Sequence, residues 1–248
     1  MPASISDIRI LLKIKQLPRR SDPRCVFITG GTGYMGTQLV PALLERGHRV
    51  RALVRSGSKG KVPTGCEVVS GDALDATTYR QLVRPADTFV HLVGVAHPSP
   101  AKADEFRAID LVSVREAIAV AADLGVQHFI YLSVAQPAPV MKAYVAVRAE
   151  CEAMIRQRGL NATILRPWYV LGPGHRWPLI LLPFYKVLEW LPFTRAGAQR
   201  LGLVTLEQVI LALVEAVESP HPGLRIVEVP AIRVAQDHLA GDVANAGG

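Results

Sequence analysis

The chain has 248 residues and a net charge of +7, and 50% of its residues are hydrophobic while 20% are charged. This composition is typical of a globular protein and argues against an intrinsically disordered chain. At this length one α/β domain can bury a sizeable core, so a single domain is favoured over two small ones. The three cysteines are odd in number and lack metal-ligand spacing. They predict no metal site and favour a reducing, cytoplasmic location.

The basic residues are concentrated at the amino end, where six of the 28 lysines and arginines fall within residues 1–24. The others are scattered without aromatic residues between them, so nucleic-acid binding is not expected. Apolar side chains at approximately helical spacing predict that residues 1–24 form a basic amphipathic extension. It lacks the apolar run of a secretory signal and is too short and charged to span a membrane. An accessory helix or disordered arm is favoured, with a helix on a membrane surface or a start codon placed too far upstream as alternatives.

A glycine-rich turn follows the first predicted strand, the apolar run Cys25–Thr29. Gly30 would permit a sharp turn, Gly33 would let the backbone approach a pyrophosphate, and Gly36 would let the next helix pack closely. Free N–H groups at the start of that helix, predicted over 38–46, offer a site for an anion. The pattern predicts a strand, a phosphate loop and a helix; the alternative is an ordinary glycine-rich turn.

Residues 29–36 read Thr-Gly-Gly-Thr-Gly-Tyr-Met-Gly. This sequence resembles the TGxxGxxG signature of the extended and atypical short-chain dehydrogenase/reductase superfamily. The resemblance implies a Rossmann-type α/β fold, a doubly wound parallel sheet with helices on both faces. It also implies that an NAD(P) cofactor contacts six residues of this loop: Gly30, Thr32, Gly33, Tyr34, Met35 and Gly36.

A second strand is predicted over 48–54, and it ends at a basic cluster. An acid at this point would bind the 2′-hydroxyl of NAD(H). The sequence instead has Arg55, Ser56, Ser58 and Lys59, and a guanidinium or ammonium group suits a 2′-phosphate. NADP(H) is therefore favoured over NAD(H). The alternative is that Arg55 is a solvated loop charge and that selectivity is weak.

A third strand over 67–70 leads into a turn that resembles the GDxxD turn of the superfamily. The resemblance implies that Asp72 hydrogen-bonds the adenine amino group, with Ala73 also in contact with the cofactor. Asp75 is predicted to cap a helix over 76–83 at its amino end.

A fourth strand is predicted over 87–93. The resemblance implies that the loop after it, containing Val93, Gly94 and Val95, passes the phosphates and ribose of the cofactor. His91 lies within the apolar strand, and we interpret it as a buried structural histidine rather than a catalytic base.

A long helix over 103–124 and a fifth strand over 127–133 continue the alternation that predicts a parallel sheet. In the superfamily a serine ends this strand and a Tyr-x-x-x-Lys motif follows on the next helix. Ser133 and Tyr144 match these positions, and Arg148 stands where the lysine is expected. The resemblance implies that Ser133 and Tyr144 bind the substrate oxygen while Tyr144 exchanges a proton.

The arginine leaves two interpretations of this group, because a planar guanidinium is not equivalent to an ammonium group near the tyrosine and the nicotinamide ribose. One interpretation keeps Ser133, Tyr144 and Arg148 as a catalytic group, with Arg148 also contacting the cofactor. The other makes Tyr144 a structural aromatic residue and pairs Arg148 with an acid such as Glu152.

The segment from residue 161 resembles the ILRP…GPG segment of the superfamily, in which a sixth strand ends beside the nicotinamide, and it implies cofactor contacts at Pro167 and Trp168. Residues 177–193 are the most apolar stretch, interpreted as a core helix and loop, or else as a substrate lid or partner-binding patch. A helix over 206–218 and a strand over 225–229 follow, and the chain beyond Pro230 is expected to fray.

The sequence therefore predicts a basic amphipathic extension (1–24), an NAD(P)-binding Rossmann core (25–170), a small C-terminal substrate or partner subregion (171–235) and a flexible tail (236–248). The resemblance is strongest to the atypical group, which includes NmrA-like regulators and the NAD(P)H-binding accessory subunit of respiratory complex I and is related to the epimerases. It implies an NADP-preferring oxidoreductase acting on an unknown small substrate. The alternative is a non-catalytic NAD(P)H-binding structural or redox-sensing module that binds a protein or membrane partner through 177–193 or the basic extension. The location would be cytoplasmic, either free or peripheral to a membrane.

Overall fold

A computed structural model describes residues 5–16, 22–172 and 201–241. Its main feature is a seven-stranded sheet in which every neighbouring pair is parallel. The strands in the described residues are β1 Cys25–Thr29, β2 Arg49–Val54, β3 Glu67–Ser70, β4 Thr88–His91, β5 His128–Leu132, β6 Ala162–Arg166, β7 Tyr169–Leu171, β8 Leu203–Thr205 and β9 Leu224–Glu228. The order across the sheet is β3-β2-β1-β4-β5-β6-β9, and β7 and β8 form a separate parallel pair.

Helices cover both faces of the sheet. Among the residues that the structure describes, the α-helices are α1 Ile5–Gln16, α2 Gly36–Glu45, α3 Ala103–Glu105, α4 Val112–Asp123, α5 Lys142–Gln157, α6 Leu206–Glu218 and α7 Val229–Gly241. The buried apolar residues form two clusters. One cluster packs α2 and α6 against one face of the sheet, and the other packs α4 and α5 against the opposite face. The helices on both faces confirm the doubly wound α/β fold. The sequence order of the strands reverses between β1 and β4, and folds of this kind bind ligands at such a reversal.

A segment of π-helix, Phe106–Leu111, joins α3 to α4. The sequence predicts one continuous helix over 103–124, and the path is helical throughout, but this wide turn interrupts the α-helical hydrogen bonding. The buried residues of the segment are Phe106 and Asp110. This segment thus brings the carboxylate of Asp110 into the core beside the apolar Phe106.

Two other elements differ from the sequence-based expectations. The helix expected over 76–83 is instead two short 3₁₀ turns, Ala76–Thr78 and Arg80–Leu82. The chain beyond Pro230, expected to fray, continues as α7 to Gly241, and Ile232 is fully buried. The apolar stretch 177–193 lies outside the described residues.

Residues 5–16 of the amino-terminal extension form the helix α1, which packs on the domain. Ile10 and Ile14 of α1 are buried in the same cluster as α2. Lys13 forms an ion pair with Glu207 at the start of α6. Of the interpretations of the extension, the structure therefore supports an accessory helix for residues 5–16.

A buried ion pair lies below α1, away from the carboxyl ends of the strands. Arg46 donates two hydrogen bonds of 2.7 Å to the carboxylate of Glu218, and both side chains are at most 2% exposed. The same guanidinium lies 3.4 Å from the carbonyl oxygen of Ile14, and the imidazole of His48 lies 3.4 Å from Glu218. This cluster joins α1, α2 and α6.

Candidate functional site

The turn after β1 has the geometry of a phosphate loop. Gly30 has φ of +81°, and its carbonyl oxygen accepts a 3.0 Å hydrogen bond from the Gly33 N–H. A Cβ at Gly36 would collide with the carbonyl oxygen of Gly30 and with the Cα of Gly31. Gly33 is exposed, and a Cβ there would meet only one atom, the Gly30 oxygen, at 3.2 Å. Gly36 thus packs the helix against the loop, while Gly33 faces open space at the amino end of α2.

The side chains between these glycines point in different directions. Met35 is partly buried against the core cluster that includes α2. The Tyr34 hydroxyl lies so close to Gly172 that a Cβ at that glycine would collide with it. Burial raises the pKa of Tyr34. Thr32 is half-buried, and its cofactor contact, like those of Tyr34 and Met35, stays a prediction.

The loops after β2 and β3 lie beside this turn in the sheet. Arg55 directly follows β2 and is exposed, and in the described part of the chain its side chain makes no recorded hydrogen bond or ion pair. The carboxylate of Asp72 accepts a 3.0 Å bond from the Leu74 N–H. Asp75 accepts a 3.0 Å bond from the Thr77 N–H, which confirms the predicted cap, although the element that it caps is a 3₁₀ turn.

The loop after β4 is in direct contact with Arg148. A Cβ at Gly94 would collide with the guanidinium of Arg148 and would lie 3.2 Å from Oδ1 of Asp110. The next residue, Val95, donates its N–H to Oδ2 of Asp110 at 3.0 Å. The close approach of the Arg148 guanidinium thus leaves room only for a glycine at 94 unless the arginine moves, and the cofactor contacts of Val93, Gly94 and Val95 stay predictions.

Arg148 is 5% exposed and forms an ion pair with Asp110, with 2.5 Å between Nη2 and Oδ1. Its Nη1 donates to the Tyr131 hydroxyl at 3.0 Å and to the Leu132 carbonyl oxygen at 2.9 Å. The alternative that Arg148 pairs with an acid is confirmed, but the acid is Asp110 rather than the suggested Glu152. The guanidinium ties α5 to β5 and to the loop after β4.

Tyr144 lies at the rim of this cluster. Its side chain is half-buried. The centroid of the Tyr144 ring lies 4.9 Å from the centroid of the Phe106 ring and 5.0 Å from the guanidinium carbon of Arg148. Burial raises the pKa of Tyr144 more than the nearby Arg148 cation lowers it. Tyr144 also lines a cleft of about 200 Å³ with Pro100, Phe106 and 141–143, so its ring is accessible from that side.

Ser133 is hydrogen-bonded to Glu152 rather than to a residue of the Arg148 cluster. Its hydroxyl donates a 2.5 Å hydrogen bond to Glu152, and Glu152 also accepts from Arg166 at 3.0 Å. Arg166 donates a further 2.8 Å bond to Glu228 on β9. The structure places Ser133 in a buried polar network at the ends of β5, β6 and β9.

Three other residues named from the sequence have internal contacts. His91 is fully buried as expected, with its ring nitrogens 2.8 Å from the Thr29 hydroxyl and 3.2 Å from the Ser113 hydroxyl. Burial lowers the pKa of His91 to about 3, so it is neutral near pH 7. Pro167 is buried, and Trp168 packs edge-on against Tyr169 at 5.2 Å. Their cofactor contacts stay predictions.

A second, larger cleft of about 480 Å³ lies on the other side of α5. It is lined by Val145, Ala146, Ala149, Lys142, Arg166 and residues 136–138. Lys142 lines both clefts. Within residues 5–16, 22–172 and 201–241, no cluster of histidine, cysteine or acidic side chains is arranged to hold a metal. In the same residues no helix has both the length and the apolar character needed to cross a bilayer.

The residue that sequence reasoning missed is Asp110. The sequence contained a signal, because residues 106, 110, 113, 114 and 117 recur at near-helical spacing. The structure shows that all five are buried. A carboxylate on the apolar face of a helix requires a buried partner, and a basic residue on the next helix is one place to look for it.

The fold and the glycine turn define a dinucleotide-binding Rossmann protein. Residues 30–175, more than half of the chain, match the model of the NAD(P)H-binding family. The chain belongs to this family, within the short-chain dehydrogenase/reductase superfamily, and it is therefore an NAD(P)H-binding protein.

Two relatives and one solved structure are among the most similar proteins. Ceramide reductase of Caulobacter vibrioides is 29% identical over 210 residues, which are 84% of this chain and 65% of that protein. The 3-diazoavenalumate denitrifying reductase of Streptomyces sp. is 30% identical over 225 residues, which are 80% of this chain and 73% of that protein. The chain therefore spans slightly less than two thirds of the ceramide reductase.

The solved structure is the Bordetella bronchiseptica enzyme WbmH in complex with NAD⁺. It matches with a TM-score of 0.63 and 22% identity, covering 84% of this chain and 76% of that one. At this level of identity the similarity concerns the fold, and it confirms the Rossmann architecture.

Proposed function

We propose that the protein is an NADP(H)-preferring oxidoreductase that acts on a small substrate. The observation that carries the proposal is the position of Tyr144 on α5, where Arg148 fastens the helix to the Gly94 loop at the point where the strand order reverses. A proton-exchanging hydroxyl is thereby held beside the loop that a dinucleotide would pass. Both relatives described above are named as reductases, which supports the proposal.

The chain's own residues fit a dinucleotide. Gly33 leaves open space at the amino end of α2, where backbone N–H groups can donate hydrogen bonds to a pyrophosphate. Arg55 would hold a 2′-phosphate, because it is exposed at the end of β2 and no acid occupies that position. When bound, the cofactor supplies or accepts the hydride, and Tyr144 handles the proton.

Arg55→Ala should weaken NADPH binding about tenfold while changing NADH binding little, since only NADPH carries the 2′-phosphate that the guanidinium would pair with. Dissociation constants from nucleotide fluorescence measure both. Arg49→Ala is the matched control, because Arg49 is exposed at the opposite end of the same strand. Equal losses for the two nucleotides in Arg55→Ala would contradict a preference for NADP(H).

Tyr144→Phe should reduce turnover of carbonyl substrates about 100-fold without weakening NADPH binding, because it removes only the hydroxyl that donates the proton. A panel of aldehydes and ketones, with NADPH oxidation followed by absorbance, measures turnover. Tyr79→Phe is the control, since the Tyr79 hydroxyl is buried with no hydrogen-bond partner among the described residues. Turnover that survives in Tyr144→Phe would overturn the role of this residue.

The second candidate function is a non-catalytic NAD(P)H-binding module. It is favoured by one observation: the Ser133 hydroxyl and the Arg148 guanidinium are both engaged in internal bonds. In that case wild type and Tyr144→Phe would bind NADPH equally well, and neither would turn over any member of the carbonyl panel. A protein or membrane partner, through 177–193 or the basic extension, belongs to this second proposal.

A further inference from the structure

Asp110 is a buried carboxylate with no assigned role, although it lies at the centre of the proposed site. It is 0% exposed, its Oδ2 accepts a hydrogen bond from the Val95 N–H, and its Oδ1 forms an ion pair with the Arg148 guanidinium. One oxygen thus holds the loop after β4, and the other neutralises the cation below Tyr144. A buried carboxylate is costly unless it is paired in this way.

Arg148 is fixed from several sides. Its partners are the Asp110 carboxylate, the Tyr131 hydroxyl and the Leu132 carbonyl oxygen, and its guanidinium also lies against Gly94. Little of the guanidinium is left to bind a ribose, since the side chain is only 6% exposed. The arginine therefore acts inside the protein rather than on the cofactor.

We propose that Asp110 is a positioning residue: its carboxylate neutralises Arg148 and holds the guanidinium between the Gly94 loop and Tyr144. As a result Tyr144 remains protonated and serves as the acid in carbonyl reduction. This inference rests on the proposed oxidoreductase function. In the superfamily motif a free lysine would stabilise the tyrosinate. Here the Asp110 carboxylate lies against the cation, and its negative charge opposes that stabilisation.

The reaction balances with Tyr144 as the only proton donor. When bound, the cofactor would supply a hydride to the carbonyl carbon. The electron pair of the hydride would form the new C–H bond, and the electron pair of the broken C=O π bond would pass to the carbonyl oxygen. Tyr144 Oη donates its proton to that oxygen, so that the product is an alcohol. The Tyr144 phenolate then recovers a proton from water through the adjoining cleft.

The pKa of Tyr144 agrees with this role. Burial raises it, the Arg148 cation lowers it, and Asp110 raises it again, with a net increase. Burial keeps the neighbouring Cys151 thiol protonated as well, with a pKa of about 11. The titratable and charged groups around the Tyr144 ring are Arg148, Cys151 and Lys142 on α5, Asp110 on the π-helical segment and Tyr131 on β5.

The test is the titration of Tyr144 in the nucleotide-free protein, followed by NMR of ¹³Cζ-labelled tyrosine and assigned by the signal lost in Tyr144→Phe. In Asp110→Asn the Arg148 charge is no longer compensated, so Tyr144 should titrate at a pH about one unit below that of wild type. A Tyr144 titration unchanged in a folded Asp110→Asn protein would overturn the proposal.

Glu150→Gln is the matched control. Glu150 pairs with Arg107 at 3.2 Å, and this pair joins the same two segments as Asp110 and Arg148, but at the surface. Its removal should leave the Tyr144 titration where it is in wild type. A shift as large as that of Asp110→Asn would show that the effect is general to this interface and would contradict the proposal.

If Asp110→Asn is too unstable to titrate, the Asp110→Asn/Arg148→Gln double variant decides. Removing both charges should cost less stability than the sum of the two single losses, because neither charge is left unpaired. Additive losses would contradict mutual neutralisation. Failure of the proposed function is seen separately, as an absence of carbonyl turnover in a wild-type protein whose Tyr144 titration still responds to Asp110→Asn.

Discussion

Gly36→Ala should abolish measurable NAD(P)H binding and lower the free energy of unfolding by about 3 kcal/mol. The added Cβ would meet backbone, namely the Gly30 carbonyl oxygen and, at 2.5 Å, the Gly31 Cα. A side chain could rotate away, but these atoms can move only if the whole phosphate turn shifts away from α2. The binding loop and the packing of the helix are therefore lost together. Urea denaturation and nucleotide fluorescence measure the two effects.

Two further glycines make the comparison specific. A Cβ at Gly57 would meet no atom within 4 Å, so Gly57→Ala should leave the free energy of unfolding almost unchanged. Gly33→Ala should keep the fold but weaken nucleotide binding, because its methyl group would occupy the open space that faces the ligand. A Gly36→Ala protein that binds NADPH like wild type would show that the cofactor does not lie on this turn.

Arg46→Met should lower the free energy of unfolding by about 3–5 kcal/mol, since it leaves Glu218 buried without its main partner. The carboxylate is 1% exposed, so water cannot replace the guanidinium. Burial raises the pKa of Glu218, but hydrogen bonds from His48 and Arg46 more than offset this, and the pKa is lowered overall. The stabilisation by this ion pair is thus present at neutral pH and is lost as the pH falls below about 4.5.

The double variant Arg46→Met/Glu218→Met should recover most of that stability, because two apolar side chains then replace a buried pair. A surface pair gives the contrast: Arg80 and Asp123 are 38% and 47% exposed, and Arg80→Met should cost less than about 1 kcal/mol. Thermal or urea denaturation at pH 7 measures all three. A loss below 1 kcal/mol in Arg46→Met would mean that Glu218 finds another partner or takes up a proton.

The first strands of the sheet were predictable because β1 is an apolar run followed by Gly30 and β2 is followed by the charged Arg55. The bounds of β1 and β3 agree with the sequence-based prediction, and so do those of α6, whose 3.6-residue repeat places Val209, Leu213 and Val217 in the core. The prediction of a helix over 76–83 was wrong because local hydrogen bonds determine the conformation of this segment. Asp75 and the Thr78 hydroxyl satisfy nearby backbone groups and close separate 3₁₀ turns.

The candidate site was predictable only in part. Motif spacing located the phosphate turn and placed Tyr144 and Arg148 on one face of α5. It could not supply the partner of Arg148, since Glu152 is the nearest acid along the helix at this spacing whereas Asp110 comes from a different element. Glu152 is instead bonded by Ser133 and Arg166. Such pairings depend on how helices and strands meet in space, which one sequence does not specify.

The wide helical turn over residues 106–111 has a further consequence. A π-helical turn holds one residue more than an α-helical turn. It therefore changes the direction about the helix axis in which Asp110 and Phe106 project toward α5 and the Gly94 loop. A deletion or insertion of one residue there would rotate the acid away from Arg148 without replacing any side chain of the cluster. The number of residues in this turn is therefore as much a determinant of the site's charge balance as the identity of the residues within it.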